Sequence, residues 1–484
     1  MRAPPGSTER IARNAVLKVL VQATRLASLV LVIATARLLG PAEFGKFSFA
    51  YALATVLGVT LEFGVSPVLT RAVARDPATT AARWASAATL KLALLGVAAP
   101  LFLVVPLVAR RPWDTTLAVW LLGLAIALQA FVENGVAVFT GIQRLDQELQ
   151  VRLVEKGVLV AVGFTALGLG GGLLGVITAF VLAAAVSLGL ATALIHRRLA
   201  PIELWWRPAG ARALARELAP VAQAQFLGIA TSRVAPIAVA LLAGDLAAGH
   251  FGAAFRVYDV VWIVPITLVA AVYPELARTL ASDPRFRVLT NQAAEALLLV
   301  AWPVALGLAA GASWLVPLIY GPGYAAAIPV LALLGVAVAC SMLQHFIGVV
   351  FLALDRPEQL RAVAALGFVA SLVVIPALVV VAGAVGAAVG VLLVEVLTLT
   401  ASLVIMRPLV GWPFGRAAVK GLAAAATGAV VAALVPAGAA RLGAALLAYL
   451  VVLAGLRPVP GAVYLRLLRG ALGRPGPPSA AGVG

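Results

Sequence analysis

Apolar residues run through this chain in long segments, which charged or Gly/Pro-rich joints separate. The joints leave fourteen apolar segments, each long enough to cross a bilayer, because a spanning helix needs about 20 residues. The segments begin near Ile11, Ala42, Arg83, Thr115, Glu148, Gly172, Leu214, Ala247, Val288, Tyr324, Glu358, Val385, Arg416 and Ala440. This pattern predicts an all-α membrane protein with fourteen transmembrane helices and no joint large enough for a soluble domain.

The basic residues predict the orientation of these segments. Most of the 36 Lys and Arg residues fall in alternate joints, and only Lys46, Arg110, Arg111 and Arg441 fall in the other set. Because cytoplasmic loops of membrane proteins are enriched in Lys and Arg, we expect a multi-pass protein of the cytoplasmic (inner) membrane with both termini in the cytoplasm. The net charge of +17 does not indicate nucleic acid, since the charges are spread one loop at a time and suit anionic lipid headgroups.

An internal repeat divides the chain. Gly64–Pro77 aligns without gaps on Ala271–Pro284, and the two segments share a Pro, a Leu, an Arg and a closing Asp-Pro at matching positions. Upstream, Gly45–Ala50 matches Gly249–Ala254 at an offset of 204 residues. Each repeat holds six predicted spans, and an even number returns the chain to its starting side. The repeat therefore predicts two parallel lobes related by an axis along the membrane normal, with a cleft between them at the bilayer midplane.

The predicted domain organisation follows from this repeat. Residues 1–200 form the first lobe with spans one to six, and residues 201–407 form the second with spans seven to twelve. Residues 408–470 add spans thirteen and fourteen, and the Gly/Pro-rich residues 471–484 are expected to be a disordered cytoplasmic tail. The major facilitator fold shares a 6 + 6 plan, but its Gly/Asp/Arg-rich signature is missing from the joint after span two.

Several of these segments resemble a known family. Arg37–Ala50, Ser66–Asp76, Leu241–Arg256 and Val272–Arg278 resemble Wzx-like oligosaccharide flippases of the polysaccharide biosynthesis family, within the multidrug/oligosaccharidyl-lipid/polysaccharide (MOP) exporter superfamily. The resemblance implies a fourteen-helix MOP fold and a transporter rather than an enzyme. It also implies a polyprenyl-pyrophosphate-linked oligosaccharide as substrate, and polysaccharide biosynthesis enzymes as partners.

Cationic residues inside the spans are candidates for substrate binding. Arg25, Arg233 and Arg256 lie near the midplane, and Lys91 lies about eight residues into span three. Guanidinium groups bind phosphate in a bidentate manner, so these cations around one cleft would form an anion site. Three alternatives stay open: Arg256 pairs with Asp259 on the same helix face, Arg25 and Arg233 form hydrogen bonds with backbone carbonyls, and the Lys91 side chain reaches toward the cytoplasmic interface.

Energy coupling has its own candidates, which are Asp259, His345 and Glu395, each deep in its span. A carboxyl buried like that of Glu395, with no basic residue near it in sequence, is expected to carry a proton. A gradient of H⁺ or Na⁺ is therefore a candidate partner. The sequence contains no nucleotide, nucleophile or metal-ligand motif, so we expect no cofactor and no metal site.

Three other functions compete with the flippase hypothesis. Multidrug antiporters of the same superfamily typically use acidic residues in span one, where this chain has Arg25 and no carboxylate after Glu9. Membrane-embedded polysaccharide polymerases or ligases usually carry a long external loop with catalytic Arg or His, and no external joint here is long. A scaffold that binds biosynthetic partners without transport stays open.

Overall fold

The protein is described by a computed structural model that covers residues 7–198, 206–279, 283–411 and 416–456. Every regular element in these ranges is helical, and two short 3-10 helices, Pro77–Thr79 and Pro322–Tyr324, precede α3 and α10. The α-helices in chain order are α1 Ser7–Glu62, α2 Val65–Arg75, α3 Thr80–Val108, α4 Trp113–Gly141, α5 Leu145–Gly168, α6 Gly172–Arg198, α7 Pro208–Val261, α8 Ile263–Arg278, α9 Pro284–Tyr320, α10 Ala327–Ala353, α11 Pro357–Val410, α12 Arg416–Leu434 and α13 Ala439–Leu456. The predicted all-α class is confirmed, and the expected tail at 471–484 lies outside the described residues.

Three long helices are interrupted where the sequence pattern places joints. The backbone is non-helical at Gly40 in α1, at Gly244 in α7 and at Ala382 and Gly383 in α11. Each of the three glycines precedes a predicted segment start by two or three residues, so each long helix contains two predicted spans. By length and composition, nine helices among the described residues suffice to cross a membrane. The total of fourteen spans stays a prediction.

The interruptions in α1 and α7 have the same backbone conformation. Gly40 has φ 81° and ψ 173°, and Gly244 has φ 83° and ψ 176°. This region of backbone space is essentially restricted to glycine, which explains the residue type at both positions. The two glycines are 204 residues apart, the same offset that relates the sequence repeat at Gly45 and Gly249.

The described residues form two compact units, one up to Gly252 and one from Ala253 onward. In the first unit, α4 packs against α1, α2 and α6. The short helix α2 is amphipathic, because Val65, Leu69 and Val73 recur at every fourth residue and are buried with Trp84 of α3. This packing ties α2 and the start of α3 to the centre of the unit.

In the second unit, α9 has the central position and packs against α10, α12 and α13. The two C-terminal helices α12 and α13 contact α9 through a cluster that includes Leu306, Ala424 and Tyr449. The buried Tyr449 hydroxyl donates a hydrogen bond of 3.0 Å to the carbonyl oxygen of Leu299. The last two helices are therefore packed onto the body of the second unit.

Large apolar side chains cover much of the surface. In α11 alone, Val373, Val380 and Val381 expose 66%, 73% and 81% of their area. Extended apolar patches of this kind are rare on soluble monomers, whereas lipid solvates them. The surface fits a multi-pass membrane protein.

Candidate functional site

The predicted midplane cations lie on two helices. Arg233 and Arg256 are both on α7 and are half-buried, and both have electrostatic or hydrogen-bonding partners. Arg256 lies close enough to Tyr320 for the guanidinium charge to act on the phenol. Arg25 lies on α1, but its side chain is outside the described part of the structure.

The fourth predicted cation, Lys91 of α3, is completely buried and ion-paired. Its Nζ lies 2.8 Å from Oε2 of Glu62 and donates a hydrogen bond of 2.6 Å to the carbonyl oxygen of Ala130. The Lys91 side chain is shielded from water by these partners, and its reach toward the cytoplasmic interface stays a prediction. A charge without contact with water needs such partners, because an unpaired ammonium in the interior is very unfavourable.

A second set of charges connects α4 and α5 beside this pair. Arg152 Nη2 lies 2.7 Å from Glu133 Oε2, and Arg152 Nη1 lies 3.2 Å from Glu155 Oε2. Gln129 donates hydrogen bonds to both carboxylates, at 3.0 and 3.3 Å, and Lys156 also pairs with Glu155. The charge of Lys91 acts on Glu133 as well, so the two sets form one electrostatic network.

The network is electrically balanced. Three carboxylates, of Glu62, Glu133 and Glu155, face three cations, Lys91, Arg152 and Lys156. Ion pairs that are largely shielded from water add little net stability, because the cost of removing the charges from water offsets their attraction. In this arrangement each cation is paired with a protein carboxylate. The network connects α1, α3, α4 and α5.

Two of the coupling candidates contact residues of the same helical segment in the second unit. The hydroxyl of Tyr258 on α7 donates a hydrogen bond of 3.3 Å to Oε1 of Glu395 on α11. One helical turn further, Trp262 makes an edge-on ring contact with His345 of α10, with centroids 5.5 Å apart. Since residues four apart share a helix face, Glu395 and His345 are brought to the same side of this helical segment.

Asp259, the third coupling candidate, is next to Tyr258 in sequence and is half-buried. It has an interaction partner, as Arg256 has. Cys340 lies within reach of the Glu395 charge, on the α10 side. The Glu395 carboxyl therefore has the Tyr258 hydroxyl as a hydrogen-bond donor and the Cys340 thiol within range of its charge.

Two cations with defined partners were not singled out by the sequence analysis. Arg152 ties α5 to α4, and its spacing of three residues to Glu155 is the local signal that could have identified it. Arg111 pairs with Asp245 of α7. It was one of few basic residues on the predicted outer side, and this departure from the general charge bias was the available signal.

Among the described residues, no cluster of three or more His, Cys, Asp or Glu side chains is arranged to hold a metal ion.

Comparison with known proteins agrees with this architecture. The sequence profile of the family described as polysaccharide biosynthesis protein matches residues 11–280. Comparison with curated protein sequences gives no significant match.

Solved structures share the fold at low sequence identity. The lipid II flippase MurJ in an inward closed conformation superimposes with a TM-score of 0.65 at 12% sequence identity. The aligned region covers 94% of this chain and 99% of the MurJ chain. An inward-facing multidrug resistance MATE family transporter of the MOP superfamily has a TM-score of 0.62 and 14% identity, covering 80% and 95%. A MOP superfamily transporter from Pyrococcus furiosus, described as having reversed binding-pocket polarity, has a TM-score of 0.54 and 14% identity, covering 83% and 95%. The MOP transporter fold expected from the sequence is confirmed.

Proposed function

This chain belongs to the polysaccharide biosynthesis protein family, and on that premise we propose that it is a transporter that flips a polyprenyl-pyrophosphate-linked oligosaccharide across the cytoplasmic membrane. The match over residues 11–280, more than half of the chain, is the observation that carries the proposal. The similarity in fold to the lipid II flippase supports it, because that protein also moves a lipid-linked substrate. The product would serve cell-surface polysaccharide synthesis.

The mechanism that we propose is alternating access of a cationic cavity between the predicted lobes 1–200 and 201–407. Arg25, Arg233 and Arg256 supply guanidinium groups that bind the pyrophosphate, since each presents two parallel donors to phosphate oxygens. Lys91 is held by Glu62, so it contributes to such a site only by exchanging this carboxylate for a phosphate oxygen. We propose that other polar groups of the cavity bind the glycan.

Coupling to an ion gradient is assigned to the second unit. Glu395 is half-buried on α11 and accepts a hydrogen bond from Tyr258 of α7. A carboxyl in that setting changes its charge when a proton or a small cation arrives, and partial burial makes this change costly enough to bias a conformational equilibrium. Asp259 and His345 are the neighbouring groups that take part in this step.

The direct test is flipping in reconstituted vesicles. Purified protein is inserted into vesicles that contain a polyprenyl-pyrophosphate oligosaccharide with a fluorescent sugar, and loss of fluorescence to a membrane-impermeant quencher reports which leaflet holds the sugar. We expect transfer between leaflets well above that in protein-free vesicles. A polyprenyl monophosphate with the same sugar is the matched control and should move more slowly, because it offers fewer oxygens to the arginines.

A multidrug antiporter is the second candidate, since a multidrug resistance transporter shares the fold. Cationic dyes in the same vesicles separate the two functions. Export of dye without movement of the lipid-linked sugar would favour the antiporter and overturn the flippase proposal.

A further inference from the structure

The second half of α1, from Pro41, and the second half of α7, from Asp245, touch backbone to backbone. A β-carbon built on Gly45 would overlap the carbonyl oxygen of Asp245 and lie 2.9 Å from the amide nitrogen of Gly249. A β-carbon on Gly249 would overlap the carbonyl oxygen of Pro41. Only glycine permits this approach, as in other close helix contacts within membranes. We call this contact the glycine seam.

The glycine seam is reciprocal. Gly45 meets the carbonyl of Asp245, and Gly249 meets the carbonyl of Pro41. Gly249 lies 204 positions after Gly45, and Asp245 lies 204 positions after Pro41, which is the offset of the sequence repeat. When residue i contacts j and the equivalent of i contacts the equivalent of j, a two-fold axis relates the two segments.

One further contact places this axis. A β-carbon on Gly252 would lie 2.7 Å from the β-carbon of Ser48, and these two residues are also 204 positions apart. A residue that contacts its own repeat equivalent lies beside the axis. A local two-fold axis that relates residues 41–48 to residues 245–252 therefore passes through the glycine seam.

Arg111, in the turn between α3 and α4, breaks this symmetry. Its guanidinium pairs with the Asp245 carboxylate, donates a hydrogen bond of 3.0 Å to the carbonyl of Ala240, and lies 5.0 Å from the centre of the Phe49 ring. The side chains of Arg111 and Asp245 are only 10% and 21% exposed. The turn between α9 and α10, which corresponds in the second repeat, has the sequence Gly-Pro-Gly and no basic residue.

The contacts of Arg111 join the two predicted lobes. Phe49 belongs to the predicted first lobe, whereas Ala240 and Asp245 belong to the second, and all of these residues lie in the first compact unit. Lys46, another cation at this end, pairs instead with Glu43 and Asp114 of its own predicted lobe. Arg111 therefore links the two predicted lobes across the glycine seam, and the second repeat has no equivalent link.

We infer that the glycine seam is the outer gate of the transport path, and that Arg111 is the latch that holds it shut. The inference rests on the proposed transport function and on the charge bias that places this end outside. Apolar surface gives no driving force for helix contact in lipid, so such a seam is held by close packing and a few polar bonds. Removing one charge-assisted bond then shifts the balance between closed and open gates.

Cysteine labelling tests the latch without any substrate. In a Cys340→Ala background, Ser48→Cys places the single thiol in the seam. The position is half-buried, so a membrane-impermeant maleimide added to intact cells should react faster when the gate opens. Arg111→Ala and Asp245→Asn should each raise the labelling rate about tenfold, in proportion to the loss of a charge-assisted bond. Labelling is normalised to the amount of protein in the membrane.

Arg110→Asn is the matched control, because Arg110 is the exposed neighbour in the same turn and asparagine tolerates its positive φ of 50°. It should label at the parent rate. Unchanged labelling in both Arg111→Ala and Asp245→Asn would overturn the latch, as would an equal rise in Arg110→Asn.

A disulfide tests the gate itself. In the same background, the pair Ser48→Cys and Gly252→Cys should oxidise, since a small widening from 2.7 Å brings the β-carbons to the roughly 3.5 to 4.5 Å of a disulfide. Flipping should stop on oxidation and return on reduction. Full flipping by protein with the disulfide intact would overturn the gate. Labelling needs no substrate, so a wrong substrate assignment would leave the latch test valid.

Discussion

Lys91 and Glu62 form an ion pair across α3 and α1, with 2.8 Å between Nζ and Oε2, although the lysine side chain has no contact with solvent. Glu62 keeps 28% of its side chain exposed, so the pair connects a buried ammonium to a partly solvated carboxylate. The lysine depends on this partner, whereas the glutamate has an alternative in water.

This asymmetry predicts unequal effects of mutation. Glu62→Gln leaves a buried charge without its partner and should lower the free energy of unfolding by about 3 kcal/mol. The double change to Lys91→Met and Glu62→Gln should recover most of that loss, because it removes both charges. Thermal unfolding in detergent measures the difference, and Lys156→Met at the partly exposed edge of the network is the control. Equal stability of Glu62→Gln and the parent would contradict the dependence of Lys91 on this pair.

The second prediction concerns Glu395. Glu395→Gln keeps the shape of the side chain but removes the group that gains and loses a proton, so transport should no longer depend on a pH gradient. Tyr258→Phe removes the hydrogen bond of 3.3 Å and keeps the carboxyl, so it should retain gradient dependence. Flipping in vesicles with and without an imposed gradient is the measurement. Full gradient dependence in Glu395→Gln would remove this residue from the coupling step.

The third prediction concerns the cavity cations. Arg25→Ala, Arg233→Ala and Arg256→Ala should each weaken substrate affinity about ten- to a hundredfold, as expected for the loss of a charge-assisted bond worth about 1.5 to 3 kcal/mol. Replacement of each arginine by lysine should retain only part of the substrate affinity, because an ammonium keeps the positive charge but lacks the two parallel donors of a guanidinium. Concentration dependence of flipping, normalised to membrane abundance, is the measurement. Full activity in all three alanine variants would exclude the anion site.

Arg256 needs a further control because Asp259 is three residues away. If Arg256 serves only to neutralise that carboxylate, Arg256→Ala should lower membrane abundance and the double variant with Asp259→Ala should restore both abundance and flipping. If Arg256 binds substrate, the double variant should regain abundance and stay impaired in flipping.

The fourth prediction is topological. Single cysteines at Arg75 and Arg361 should be labelled only after the membrane is permeabilised, and single cysteines at Leu169 and Pro322 should be labelled in intact cells, because Lys and Arg set orientation over short loops. All four positions are exposed, so burial does not protect them. Labelling of Arg361→Cys in intact cells would show that the predicted membrane orientation is wrong.

The helical class and the helix interruptions were predictable from sequence because they follow from local properties. Apolar length defines a helix that lipid solvates, and Gly40 and Gly244 mark places where the polarity pattern breaks. The repeat offset also carried over to the structure, since Gly40 and Gly244 have the same backbone conformation.

Partners of charged side chains were not predictable in the same way. Lys91 and Glu62 are 29 residues apart and meet only because α1 and α3 pack against each other. The same holds for Arg152 with Glu133, and for Arg111 with Asp245, which are 134 residues apart. Depth within a span indicates that a charge needs a partner, but tertiary packing decides which residue that partner is.

The reciprocity of the glycine seam has a consequence for the ancestry of the chain. Two copies of one polypeptide in a symmetric homodimer make contacts of this form, in which the same patch serves on both sides. A fusion of two such copies would carry the contacts of Gly45 and Gly249 unchanged. The tie from Arg111 to Asp245 is different, because it has no counterpart at the turn between α9 and α10, and such an asymmetric tie becomes available once the two halves are encoded separately within one chain.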